Sequence, residues 1–195
     1  ENRVRTGKIM LYDPETCGRV KEPIDRITWV HSLLMQNAEC QMRNEKNEET
    51  SATGNPASRF KIKQCLFGEH LLRGVPEKSR IVAIAESEKT AIIASIYQPD
   101  YIWLAAGSLD GLTVDKCKVL KDRRVILYPD VNGYNKWRNK ANELNARMHT
   151  TRFTVNDYLL RTATPQERTR GIDIADRWID ELLAQWEIEK EWGLR

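Results

Sequence analysis

The four cysteines among 195 residues, Cys17, Cys40, Cys65 and Cys117, form no Cys-x-x-Cys pair, so their spacing gives a thiolate zinc site no support. Scattered thiols in a chain without a secretion signal read as reduced, which predicts a cytoplasmic protein. Histidine is as scarce: His31, His70 and His149 lie far apart and join no Ser-His-Asp or Cys-His constellation. No apolar run approaches the ~20 residues that a membrane-spanning helix needs. The opening Glu1-Asn2-Arg3-Val4-Arg5 is polar, without the apolar stretch of a signal peptide. There is no Gly-x-x-x-x-Gly-Lys-(Ser/Thr) loop, which argues against a P-loop ATPase. No internal repeat is evident. The first residue is Glu, not Met, so the chain reads as a piece of something longer.

What is present suits a folded domain. Hydrophobic residues make up 41% and charged residues 30%, enough apolar material for a core. The net charge of +3 is unevenly spread: +2 over residues 1–78, +4 over 79–164 and −3 over 165–195. A mildly basic middle permits a nucleic-acid partner without demanding one.

The patterning divides the chain in three. Residues 1–78 read as an N-terminal segment. It holds a strand over 4–12, a turn at Asp13–Gly18, a short returning strand at Arg19–Lys21 and an amphipathic helix over 26–37. Residues 41–59 hold almost nothing apolar, which predicts a long mobile loop. Residues 79–162 change register. Continuous apolar runs at Ile81–Ala85, Tyr101–Ala105 and Arg124–Tyr128, with a shorter one at Thr151–Thr154, alternate with helical stretches at 90–97, 114–120 and 135–148. This predicts an α/β domain with a doubly wound parallel sheet. Residues 163–195 predict one long helix from Pro165 to Trp192, capped by Thr164 with Glu167 in the capping box. Its stripe of Ile172, Ala175, Trp178, Ile179, Leu182, Leu183 and Trp186 either packs on the parent domain or meets a protein partner.

Open parallel sheets bind ligands beyond the carboxyl ends of their strands. The four strand ends carry Glu86-Ser87-Glu88-Lys89, then Gly107-Ser108, then Asp130-Val131-Asn132-Gly133, then Asn156-Asp157. Carboxylates converging on one edge repel unless a cation neutralises them, and an all-oxygen donor set points to Mg²⁺ or Mn²⁺. Glu86, Glu88, Asp130, Asn132 and Asp157 are therefore the candidate metal ligands. Capping or solvation is the plain alternative for Glu86, Glu88, Lys89 and Asp157.

These segments resemble the Toprim domains of primase-related proteins from bacterial mobile elements and phages. IVAIAESEKTAIIAS resembles the opening glutamate motif, VILYPDVNGYNKW the strand with Asp-x-Asp and glycine, and FTVNDYLL the segment with a further acid. The likeness covers roughly residues 79–162, with 44 positions from Glu86 to Asp130 and 27 from Asp130 to Asp157. It implies a Toprim-like fold, metal-assisted phosphoryl chemistry on nucleic acid, most naturally DNA, and a role in replication or mobilisation. A Mg²⁺-dependent nucleotidyltransferase or phosphodiesterase is the implied enzyme class, with Glu86 as its general acid/base and Lys89 as a phosphate contact. Asn132 departs from the family's Asp and brings no charge. A weak ion follows, or the alternative reading of a catalytically degenerate nucleic-acid-binding or protein-assembly module.

Overall fold

The computed structural model describes residues 7–14, 19–20, 22–45, 63–76 and 78–192. The chain forms two compact units, Glu1–Gln64 and Cys65–Arg195. The second thus begins before the predicted boundary at residue 79 and takes in the C-terminal helical region.

In the first unit, β1 (Lys8–Met10) pairs antiparallel with β2 (Ile27–Trp29). Of the returning segment predicted at Arg19–Lys21, the described residues Arg19 and Val20 give an isolated antiparallel bridge, Tyr12 to Arg19, and Lys21 lies outside the described residues. Three β-favouring residues, Ile27, Thr28 and Trp29, claim the start of the predicted helix for the sheet. Helix α1 then runs Val30–Glu45, past the predicted end at residue 37. Gln41, Met42, Arg43 and Glu45 are polar or flexible but strong helix formers, so a scarcity of apolar residues did not make them loop. Of the loop predicted over 41–59, residues 46–59 lie outside the described residues.

The second unit is a three-layer α/β/α domain. Strands β3 (Val82–Ala85), β4 (Ile102–Ala105), β5 (Arg124–Tyr128) and β6 (Arg152–Val155) form one parallel sheet in the order β4-β3-β5-β6. All residues of β3 and β4 are buried, as continuous apolar strands require in a sheet covered on both sides. The two faces differ in size. Val82, Ile84, Leu104, Val125 and Leu127 pack under α4 (Tyr134–Arg147) through Trp137, Ala141 and Leu144. The opposite face carries Ala83, Ala85 and Ala105, and those small side chains admit α2 (Glu88–Tyr97) through Ala91 and Ala94. Trp103, Tyr128 and Trp178 fill the rest of that face, with ring centroids 4.8 and 6.0 Å from Trp103. Both outer strands are shielded. Phe67 exchanges backbone hydrogen bonds with Ala105 beside β4. The Asn145 side chain both donates to and accepts from the Phe153 backbone beside β6.

The long terminal helix is two helices. After α3 (Val114–Cys117) and α5 (Tyr158–Thr162), α6 spans Pro165–Arg170 with the predicted Thr164/Glu167 capping box. It ends at Gly171, which adopts φ 70°, a conformation that costs a residue with a side chain about 1–2 kcal/mol. Asp173 then caps α7 (Ile174–Glu191), with Asp176 completing a second capping box. The apolar stripe had masked this break, because Ile172 is in phase with it although it lies in the corner, where it is buried. Only the first half of α7 docks: Ile174 and Ala175 are buried and Trp178 stacks on Tyr97. Leu182, Leu183, Trp186 and Trp192 stay 44–75% exposed.

Candidate functional site

The sheet order fixes where a ligand should sit. From β3 the chain moves outward to β4, then crosses back to β5 on the other side of β3. The crevice beyond the carboxyl ends of β3 and β5 is therefore the topological switch point. Glu86 follows β3 directly, and Asp130 lies two residues beyond the end of β5.

The Glu86 side chain reaches the Asp130 backbone there. Ser87, not Glu86, caps α2 by accepting the Thr90 N–H at 3.1 Å, which leaves the Glu86 carboxylate for the crevice. Glu86 Oε1 accepts the Asp130 N–H at 3.3 Å. It also lies where a side chain at position 133 would begin: a Cβ on Gly133 would stand 2.7 Å from Glu86 Oε1 and 3.0 Å from Leu109. Gly133 is thus the residue that lets the carboxylate approach the loop backbone.

Both acids have their proton affinity raised, chiefly by burial. Burial pushes the Asp130 carboxyl up to about 8, with Glu86, Asp173 and Asp176 adding to the rise and Lys89 opposing it. Burial lifts Glu86 as well, against the pull of the Asp130 N–H and Lys136. The crevice is a place where negative charge is held at a cost, and such sites favour a proton or a cation.

Asp173 and Asp176 are the site residues that the sequence reading did not find. The α6–α7 corner brings them in. Asp173 is buried and takes the Thr90 hydroxyl at 2.6 Å on one oxygen and the Ala175 and Asp176 N–H groups on the other. Lys89 Nζ lies 3.1 Å from Asp176 and 4.0 Å from Asp173. A signal existed in Gly171 followed by Asp-x-x-Asp, a helix stop and a fresh capping box inside one apparent helix.

The remaining predicted ligands stand elsewhere. Asp157 occupies the N-cap position of α5 without making the cap bond, and pairs with Arg161 at 3.1 Å. Asn156 accepts the Tyr158 N–H instead. Asn132 is exposed, and its amide donates to the Arg168 carbonyl at 2.8 Å. Together with the Val131 N–H to Ile172 carbonyl bond of 3.0 Å, it fastens the β5–α4 loop to the α6–α7 corner. A carboxylate there could not donate that bond. Glu88 lies in the first turn of α2, beside Gly107. Among the described residues no group of three or more His, Cys, Asp or Glu side chains is placed to hold a metal ion. The expected meeting of Glu86, Asp130 and Asp157 reduces to the first two. This pair suits an ion shared with a substrate, because Mg²⁺ is commonly held by one or two carboxylates plus water and phosphate oxygens.

Among the described residues no helix is long and apolar enough to cross a membrane. No curated protein and no solved structure matches the chain. One family model matches residues 1–131, a span that includes Glu86 and Asp130 and stops short of Asn132. The chain belongs to that family, the domain of unknown function DUF6371.

Proposed function

We propose that the crevice at the β3/β5 switch point is a Toprim-like site for divalent-cation-dependent phosphoryl chemistry on nucleic acid, in a primase-related protein. One observation carries the reading. Two carboxylates from adjacent parallel strands, Glu86 and Asp130, face one crevice with raised proton affinity. Asp130 would anchor Mg²⁺ or Mn²⁺ and Glu86 would share it; when bound, the ion would neutralise phosphate charge. Glu86, its carboxyl lifted toward neutrality, is suited to accept or return a proton at Oε1. Gly133 and the Asp130 N–H hold that oxygen in place. Lys89, in the first turn of α2 and 3.1 Å from Asp176, would meet a phosphate.

A second reading has its own support. Asn132 and Asp157 are engaged with Arg168 and Arg161, so the protein offers few ligands of its own, as a non-catalytic nucleic-acid-binding or assembly module would. Calorimetric titration with Mn²⁺, with and without an oligonucleotide, separates the two. The catalytic reading expects binding that strengthens with the oligonucleotide and vanishes in Asp130→Asn. Equal heats for wild type and Asp130→Asn would leave only the second.

A further inference from the structure

The opposite edge of the same sheet carries the opposite charge. The loops entering the strands hold Lys78, Arg80, Lys121, Arg124 and Arg152, all exposed, against Asp100 and Asp122 as the acids of those described loops. Arg80 is tied down, donating to the carbonyls of Pro99, Asp100 and Tyr101. Lys121, Arg124 and Arg152 make no ion pair with a described acid.

Two features of this edge run against ordinary sheet design. Arg124 and Arg152 are direct register partners on β5 and β6, on strands about 4.8 Å apart. Like charges placed opposite one another destabilise a strand pair. The face that carries them, covered further along at Tyr128, is open at its amino end. Arg124, Arg152 and Thr154 are exposed and Ile126 is half-buried, whereas parallel sheets are normally covered on both faces. Repulsion and exposure together leave an exposed cationic strip.

We propose that this strip, centred on Arg124 and Arg152, binds the phosphodiester backbone of a nucleic acid, independently of the carboxyl-edge site. Each guanidinium offers paired donors in a fork that matches a phosphate. A peptide strand fits less well, because Asn145 already occupies the backbone groups of Phe153 at the open side of β6. β5 is 5 residues long, which sets the strip about 15 Å from the carboxyl-edge crevice. A strand held here would run beside the catalytic edge without entering it.

The test is fluorescence anisotropy with a labelled mixed-sequence single-stranded oligonucleotide in EDTA, so that no divalent ion contributes. Wild type should bind with a salt-dependent affinity. Arg124→Gln/Arg152→Gln should bind about tenfold more weakly at low salt, with the log–log salt slope reduced by roughly 1.4, two contacts at about 0.7 each. Asp130→Asn should bind like wild type. Melting temperatures of all three should show that they are folded. Wild-type failure to bind, an unchanged double variant, or tighter binding of polyglutamate than of the oligonucleotide would each overturn the proposal. Loss of binding in Asp130→Asn alone would also overturn it, by placing the nucleic acid at the other edge. Loss in the double variant, in a protein that shows no Mn²⁺ response, would support this strip while removing the catalytic reading.

Discussion

The two edges of one four-stranded sheet differ in burial as much as in sign. At the carboxyl edge, acids are drawn inward: Asp173 is 8% exposed and Asp130 is held to about 8. At the amino edge, cations stay in water, and Arg124 and Arg152 lie side by side without an ion pair to a described acid. Buried like charges alter proton and cation affinity strongly, because little solvent screens them. Exposed like charges alter it weakly, and act mainly on mobile counterions and polyanions. On the two proposals, the carboxyl edge would act on a small charged centre and the amino edge would hold an extended one.

The largest expected effect breaks the carboxyl edge by removing its outer wall. Truncation after Arg170 deletes the buried Ile172, Asp173, Ile174 and Ala175. Two buried isoleucines alone contribute roughly 3–6 kcal/mol, so this truncation should fail to give a cooperative melt. Truncation after Asp180 removes only the part of α7 whose Leu182, Leu183 and Trp186 are about half exposed, and should melt within a few degrees of the full chain. If both truncations melt alike, α7 does not support the site in the way its contacts indicate.

The next effect is a pH dependence. Asp130 is raised from 3.8 to about 8 in the folded chain. The folded state therefore binds this proton more tightly than the unfolded state does. Its contribution to stability is full below pH 4, falls as pH rises and is gone above pH 8. Asp130→Asn lacks that slope. The variant should match wild type near pH 4 and exceed it at pH 9 by roughly 2 kcal/mol, after allowance for solvent near a half-buried group. Paired urea melts across this range would measure the gap, and a gap independent of pH would show that the charge on Asp130 is not held at a cost.

Asn132→Asp sharpens the same edge. Placing an acid at this position also removes the donor to the Arg168 carbonyl. We expect a loss of about 1 kcal/mol, read as a lower melting temperature without metal. On the catalytic reading, added Mn²⁺ should recover the loss. No recovery would mean that position 132 serves only as the latch between the β5–α4 loop and the α6–α7 corner.

How much of this was legible in the sequence follows from the range of the interactions. The strands showed themselves as unbroken apolar runs, and Glu86 and Asp130 could be placed because each follows such a run almost at once. Asp173 and Asp176 could not, since Ile172 and Trp178 continue an apolar stripe across the Gly171 break. The donor role of Asn132 depends on a carbonyl 36 positions away, which no local pattern reports. Asp157 was misplaced for a related reason. A strand end fixes where a backbone goes, and an i,i+4 arginine then turned the side chain away. The arginine pair was invisible because one Arg at a strand start is ordinary. Only the register that sets Arg124 against Arg152 makes it unusual.

That register leads to the smallest effect. If the two guanidiniums repel across β5 and β6 with no acid between them, removing one charge relieves the strand pair. Arg124→Gln should therefore stabilise the folded chain by a few tenths of a kcal/mol, and the gain should shrink as salt screens the pair. Arg152→Gln should do the same. The double variant should gain no more than about either single one, because either change already removes the repulsion. Melting temperatures of the three variants at low and high salt complete the cycle. Additive gains, or gains that ignore salt, would mean that the arginines act separately. The amino edge would then be a scatter of surface charge rather than a strip held at some expense to stability, and the contrast between the two edges would reduce to burial alone.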